Sequence, residues 1–201
     1  MSLLIYFETN WIIGAVLGQD ARADEFLSSP PSEIILAVPS VCIMEAISAF
    51  DWKRIERNQL KAELDRQLVQ VQRSKQVPLA QQLATQLIHA KLTNDQLLNE
   101  LFKRLDDLLL HAAQRAELIP LSADAIHQMV RLQRETELDR DDALILASIL
   151  LDAKSRPPQR RGFLTGNIHD FEAGPVRNLL EQNEIKLLRS SEQALRSVAA
   201  E

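Results

Sequence analysis

The chain has 201 residues, 46% hydrophobic and 25% charged, with five glycines and a formal net charge of −5. That length suffices for one well-buried domain with room for an appendage, and the negative balance excludes a general electrostatic pull toward nucleic acid, so any such binding has to be local. The single cysteine, Cys42, excludes an internal disulfide and fits a reducing cytosol as a packed thiol.

No apolar run approaches a membrane span, and the N-terminus lacks the basic start of a signal peptide and meets Glu8 early. The expectation is a cytoplasmic protein with no membrane partner. The predicted elements begin with Leu3-Leu4-Ile5-Tyr6-Phe7, a short unbroken apolar run that suits a strand buried on both faces of a parallel sheet. Glu8, Thr9 and Asn10 follow it. In open parallel sheets ligands sit outside the carboxyl ends of the strands, although the same three residues could simply start and cap the next helix.

Trp11 to Leu17 reads as a short buried helix or turn, and Ala21 to Leu27 as a second helix stopped by Ser28-Ser29-Pro30-Pro31. Glu33 to Val38 is another buried strand, left through Pro39-Ser40. Ser40 is a candidate N-cap, and Glu45 falls in the second turn after it. Parallel pairing of the two strands would bring Glu45 to the same sheet edge as Glu8.

From Asp51 to Arg115 the pattern is helical, without Gly and with Pro78 alone as a breaker. Segment 51–77 is polar with a narrow apolar stripe and, if continuous, makes a rod of roughly 40 Å. Pro78 starts a second helix, Thr93-Asn94-Asp95 breaks it, and 95–114 forms a third. This part is expected to be a solvated helical hairpin, with a dimer contact or a basic nucleic-acid arm as alternatives. Beyond it, Glu117 to Ser122 returns to a strand, Ser122 caps a helix over 123–137, and Asp139 opens the most apolar helix of the chain. A basic, proline-containing loop over Lys154 to Arg161 leads to a strand at Gly162 to Thr165 and a turn through Gly166, Asn167 and Asp170. A short helix, an edge strand at Ile185 to Leu188 and a terminal helix complete the order. Strands alternating with helices argue for an α/β sandwich with a mainly parallel sheet.

Acids or amides thus recur at one kind of location: Glu8, Glu45, Asp142, and Asn167 with Asp170. Carboxylates within about 4 Å of each other repel by a few kcal/mol per pair at an effective dielectric near 20. Such a cluster makes sense only around something positive. Oxygen ligands without a His or Cys set select Mg²⁺ or Mn²⁺, and the histidines at 89, 111, 127 and 169 form no zinc spacing. Each acid also has a local explanation. Asp139 with Asp142 resembles a capping box, Asp141 favours the helix dipole, and Asp170 can close an Asx-type turn. Glu45, on the apolar stretch Val41 to Ile47, is harder to dismiss, because an acid there needs a partner or a metal.

Phe7-Glu8-Thr9-Asn10, Pro39-Ser40 through Glu45, Asp142-Ala143-Leu144-Ile145-Leu146-Ala147 and Leu164-Thr165-Gly166-Asn167 to Asp170-Phe171 resemble, in order and rough spacing, the motifs of the PIN domain family. The match covers about 1–50 and 116–190. The resemblance implies one domain over 1–201, a three-layer α/β/α sandwich with a PIN-like sheet of four to five strands and an enlarged helical insertion at about 51–115. It implies a metal-dependent nuclease acting on single-stranded RNA. The Mg²⁺ or Mn²⁺ ligands would be Glu8, Glu45, Asp142, Asn167 and Asp170, with Glu8, Glu45, Asp142 and Asp170 catalytic and Thr9, Asn10 and Thr165 behind them. VapC-type toxins are nearest by motif, which leaves room for an antitoxin-like protein partner or a homodimer. The chemistry fits these residues independently, since a metal-bound water needs no protein nucleophile.

Two departures stand out. Glu8 occupies a position where the family has Asp, and its extra methylene moves the carboxylate by roughly 1.5 Å, more than catalytic geometry tolerates. Glu8→Asp is accordingly expected to keep or raise activity. Gly166 replaces an Arg of the family pattern and removes a phosphate contact. Lys53, Arg54 and Arg57 could flank the cleft and bind nucleic acid, so reversing them to Glu should weaken RNA binding and flatten its salt dependence. The loop over Lys154 to Arg161 belongs at the opposite sheet edge. The alternatives to an endoribonuclease are a catalytically impaired PIN-like scaffold that binds RNA or protein, and a DNA-directed metal nuclease.

Overall fold

The computed structural model of the protein describes residues 2–74, 76–172 and 174–199. Their elements are β1 (Leu3–Phe7), α1 (Thr9–Val16), α2 (Ala23–Ser28), β2 (Ile34–Pro39), α3 (Ser40–Val71), α4 (Pro78–Arg115), β3 (Ala116–Ile119), α5 (Ala123–Glu135), α6 (Arg140–Ser155), β4 (Arg160–Leu164), α7 (Ile168–Phe171), α8 (Gly174–Gln182), β5 (Ile185–Leu188) and α9 (Ser191–Ala199). Two compact units result: Met1–Ala46 with Asp107–Glu201, and Ile47–Asp106.

In the first unit all five strands are parallel, in the order β3-β2-β1-β4-β5. The apolar run after Met1 forms the central strand. Leu4, Ile5, Tyr6 and Phe7 are each 0% exposed, so both faces of β1 are covered, and each such side chain contributes roughly 2 kcal/mol of burial. Phe7 meets Trp11 edge-on at 5.1 Å, and Trp11 meets Phe26 at 5.8 Å. On the other face the Tyr6 hydroxyl donates to Asp152 Oδ2 on α6 at 2.8 Å. Helices therefore lie on both sides of the sheet, giving the α/β/α sandwich expected from strand–helix alternation. Between β4 and β5, glycine at 162 leaves room for the Leu188 side chain: a Cβ there would stand 2.5 Å from Leu188 Cδ1.

The chain builds outward from β1 through β2 to β3, then returns to place β4 on the other side of β1. That reversal makes the carboxyl ends of β1 and β4 the switch point of the sheet, where open parallel sheets form a crevice.

The second unit is an antiparallel helical hairpin built from α3 and α4. Lys61 pairs with Asp95 at 2.7 Å, Lys91 with Asp65 at 2.6 Å, and Phe50 meets Phe102 edge-on. Three expectations are corrected here. No break occurs at Thr93-Asn94-Asp95; α4 runs continuously over 38 residues. Asn94 is 6% exposed and exchanges hydrogen bonds with Arg57, whose Nη1 donates to Asn94 Oδ1 at 3.4 Å while Asn94 Nδ2 donates to Arg57 O at 3.3 Å. Tertiary partners thus absorb the polar groups that would otherwise compete with the helix backbone. The polar segment over 51–77 also stops early, since α3 ends at Val71 and a turn precedes Pro78. Ser40 is not a cap preceding the helix but its first residue, because α3 leaves β2 directly. Among the described residues no helix is long and apolar enough to cross a membrane.

Candidate active site

Glu8 follows the central strand and is the N-cap of α1, with extended backbone at φ −127° and ψ 178°. It is 0% exposed. Three backbone N–H groups converge on its carboxylate: Asn10 donates to Oε2 at 2.5 Å, and Trp11 and Gly166 donate to Oε1 at 3.2 and 3.0 Å. A carboxylate offers about four lone-pair positions, so most of this one's capacity is spent. The Gly166 bond joins the turn after β4 to the start of α1 across 158 positions of sequence. Burial pushes the Glu8 carboxyl above its ordinary range, against the hydrogen bonds from Asn10, Thr165, Gly166 and Trp11.

Because β1 and β2 are parallel neighbours, the exits of both strands lie side by side. Thr9 Oγ1 donates to Glu45 Oε2 at 2.5 Å. Burial raises the Glu45 carboxyl, and Asp141 and Asp139 raise it further. Cys42, one turn before Glu45, is buried and unpaired as expected, and burial pushes its thiol up.

Asp139 caps α6: its Oδ1 accepts the Asp142 N–H at 2.9 Å. That is the N-cap half of the predicted capping box, and it aims the Asp142 side chain at the turn after β4. There Asn167 Nδ2 donates to Asp142 Oδ2 at 2.9 Å and to Asp170 Oδ2 at 2.8 Å, bridging two acids 28 positions apart. The turn is braced from within, with the Asn167 N–H donating to Thr165 Oγ1 at 2.8 Å, and Thr165 is 0% exposed. Asp142 is 7% exposed. Burial pushes its carboxyl up to about 7, and Asp139, Glu8, Asp170 and Glu45 raise it further. Asp170, half-exposed and beside His169 Nδ1 at 3.0 Å, is held below its ordinary range by His169 and Asn167.

The fold therefore brings Glu8, Thr9, Asn10, Glu45, Asp142, Thr165, Asn167 and Asp170 to one edge. Asp139 and Asp141, read from sequence as a cap and a dipole partner, also act electrostatically there. The sequence signal for both was their spacing from Asp142. Lys53, Arg54 and Arg57 belong to the second unit, where Arg54 pairs with Asp51 at 2.8 Å and lies over the Phe102 ring, and Arg57 holds Asn94. Arg160 and Arg161 of the basic loop open β4 at its amino end, away from the acids.

In kind, these donors suit a hard divalent cation: oxygen ligands whose mutual repulsion a 2+ charge would relieve. In placement they do not form a finished cage. Among the described residues no three His, Cys, Asp or Glu side chains gather as a metal-holding group. The Asn167 amide stands between Asp142 and Asp170, and Glu8 is committed to backbone N–H groups.

No family model matches the chain, and no curated protein matches it. Among solved structures, a chain in the crystal structure of VapBC2 from Rickettsia felis bound to a DNA fragment from their promoter aligns with a TM-score of 0.43 at 17% identity, over 92% of this chain and 97% of that chain. Similarity at that level says nothing about chemistry, which has to come from the side chains themselves.

Proposed function

We propose that the carboxyl ends of β1 and β4 form a metal-dependent phosphodiesterase site, and that the protein is an endoribonuclease cleaving single-stranded RNA. The observation that carries this reading is Asp142, a buried acid pushed up to about 7 by burial and by Asp139, Glu8, Asp170 and Glu45, at the switch point of a parallel sheet. A strongly perturbed acid in such a crevice is a functional-site candidate. Asp142, Asp170 and Glu45 would hold Mg²⁺ or Mn²⁺, with Asn167 turning its amide oxygen inward. The ion, when bound, supplies a water of lowered pKa and neutralises charge on the phosphate. Thr9 orients Glu45, and Thr165 fixes the backbone that carries Asn167. Glu8 fastens the two loops that bear these residues. Its depth excludes water from their bases.

A second reading has its own support. Glu8 spends its carboxylate on three N–H groups, and no three-acid cage stands ready among the described residues. Both features suit a catalytically impaired scaffold that binds RNA or protein without cutting it. Titrating Mg²⁺ and Mn²⁺ into cleavage assays on single-stranded RNA and single-stranded DNA separates the readings. Metal-dependent RNA cleavage that disappears in Asp142→Asn is expected. Cleavage of DNA alone makes the protein a DNA-directed nuclease, and no cleavage of either leaves the scaffold.

A further inference from the structure

A polyanion approaching four acids needs cations nearby. One flank of the acids is a cleft of about 530 Å³ that includes Arg134 and His169 but also Glu135, Glu137 and Asp170. The other flank is different. A cleft of about 380 Å³ is lined by Asn10, Gln19, Arg22, Gly166 and Arg189, with Trp11 and Asp20 among the remaining residues. Its size falls within the usual range for small-ligand pockets.

This cleft adjoins Glu8. Asn10 and Gly166, which line it, are the residues whose N–H groups hold the Glu8 carboxylate. A Cβ added at Gly166 would stand 3.3 Å from the carbonyl carbon, Cβ and O of Asn10, so glycine allows the two loops to close on each other. The acids lining the cleft are already engaged. Asp20 accepts from Trp11 Nε1 at 3.0 Å, from Ser191 N and Oγ at 2.8 Å each, and from Arg22 N at 3.1 Å, while Glu192 pairs with Arg196. Arg22 is held by Glu25, with Glu192 also acting on its charge, and Arg189 by Glu172, with arginine side chains 43% and 64% exposed. Surface pairs of that kind are weak and exchange readily, and a guanidinium binds phosphate bidentately. Asn10 and Gln19 are exposed amides, each able to donate and accept along a base edge.

Resting on the hydrolytic reading above, we infer that this cleft is the subsite for the nucleotide next to the scissile phosphate of a single-stranded RNA. Arg22 and Arg189 take its phosphates, and Asn10 and Gln19 take the base edge. A base reaches such a cleft only when unstacked, which selects single strands over duplex.

The test uses the full chain and a short fluorescein-labelled single-stranded RNA of mixed sequence, with binding followed by anisotropy in EDTA and cleavage followed separately in Mn²⁺. Arg189→Glu and Arg22→Glu each weaken binding about tenfold and raise KM by a similar factor. Each also flattens the log–log salt dependence by about 0.7 for every phosphate no longer neutralised. Gln19→Ala shifts base preference without changing that slope. Lys186→Glu makes the same charge change near the amino end of β5 and moves neither quantity. Wild-type binding and KM in both arginine variants would overturn the cleft assignment and leave hydrolysis standing. Arginine-dependent binding without cleavage in any divalent ion would overturn hydrolysis and support the cleft as a single-strand site. Tighter arginine-dependent capture of single-stranded DNA than of RNA would overturn RNA as the occupant.

Discussion

The two ends of the same sheet treat buried charge in opposite ways. At the amino end, Arg156 bridges Asp152 at 2.5 Å and Glu117 at 2.7 Å, and Asp152 accepts the Tyr6 hydroxyl. Arg161, 8% exposed, donates to the carbonyls of Ala153, Pro157 and Asn183, while its Nε is buried without a partner among the described residues. Arg156 and its two acids neutralise each other there, and burial together with Asp152 pushes the Tyr6 phenol far up. At the carboxyl end the acids meet amides, backbone N–H groups and one another. A network with internal compensation needs nothing further and reads as structure. A cluster without it keeps acids protonated or takes up a cation.

Removing single groups should expose that difference, and the largest loss of stability belongs to the compensated end. Arg156→Ala leaves Asp152 and Glu117 without their cation, and Arg156 and Asp152 are only 20% and 14% exposed. We expect a loss of about 3 kcal/mol in denaturant unfolding, the usual cost of breaking a largely buried pair. A loss near zero would remove the contrast between the ends.

Glu8→Ala comes next. It deletes a helix cap and strands the Gly166 N–H, for an expected loss of about 2 kcal/mol. Glu8→Asp retains the cap but is too short to span to Gly166, and should cost about 1 kcal/mol. Measuring stability and cleavage together on both variants tells whether the residue acts as a fastener, as a ligand or as both.

Asp142→Asn should have the opposite sign. The folded-state carboxyl is raised to about 7 from an ordinary value of 3.8. Between those values the unfolded chain has released its proton while the folded chain retains it. Stability therefore falls as pH rises through that window, by about 1.4 kcal/mol per pH unit from this residue alone. The asparagine variant abolishes that slope and melts higher than wild type at pH 8. A flat wild-type profile between pH 4 and 7 would show that Asp142 ionises without penalty. A last effect is linked to metal. Mn²⁺ at about 100 times its dissociation constant should stabilise wild type by about 2.7 kcal/mol near neutral pH, offsetting part of the Asp142 cost, and should leave Asp142→Asn little changed in differential scanning calorimetry.

Much of this was legible in the residues. Leu3–Phe7 announced a central strand because an unbroken apolar run that short has to be covered on both faces. Asp139 with Asp142 announced a helix start through spacing alone. The break expected at Asn94 has the opposite lesson, since a residue that favours turns in isolation stays helical when Arg57 satisfies its amide. Glu8 was legible both as a cap and as a candidate ligand. Only the position of Gly166, far off in sequence, revealed how fully its oxygens are used.

Local pattern and burial, which depend on neighbours along the chain, determined the strands, the helix starts and the placing of acids at strand exits. Which acid meets which group was decided by the crossover that sets β4 beside β1. Hydrogen bonds reach only about 3 Å, and that crossover alone brings residues 158 positions apart within their range.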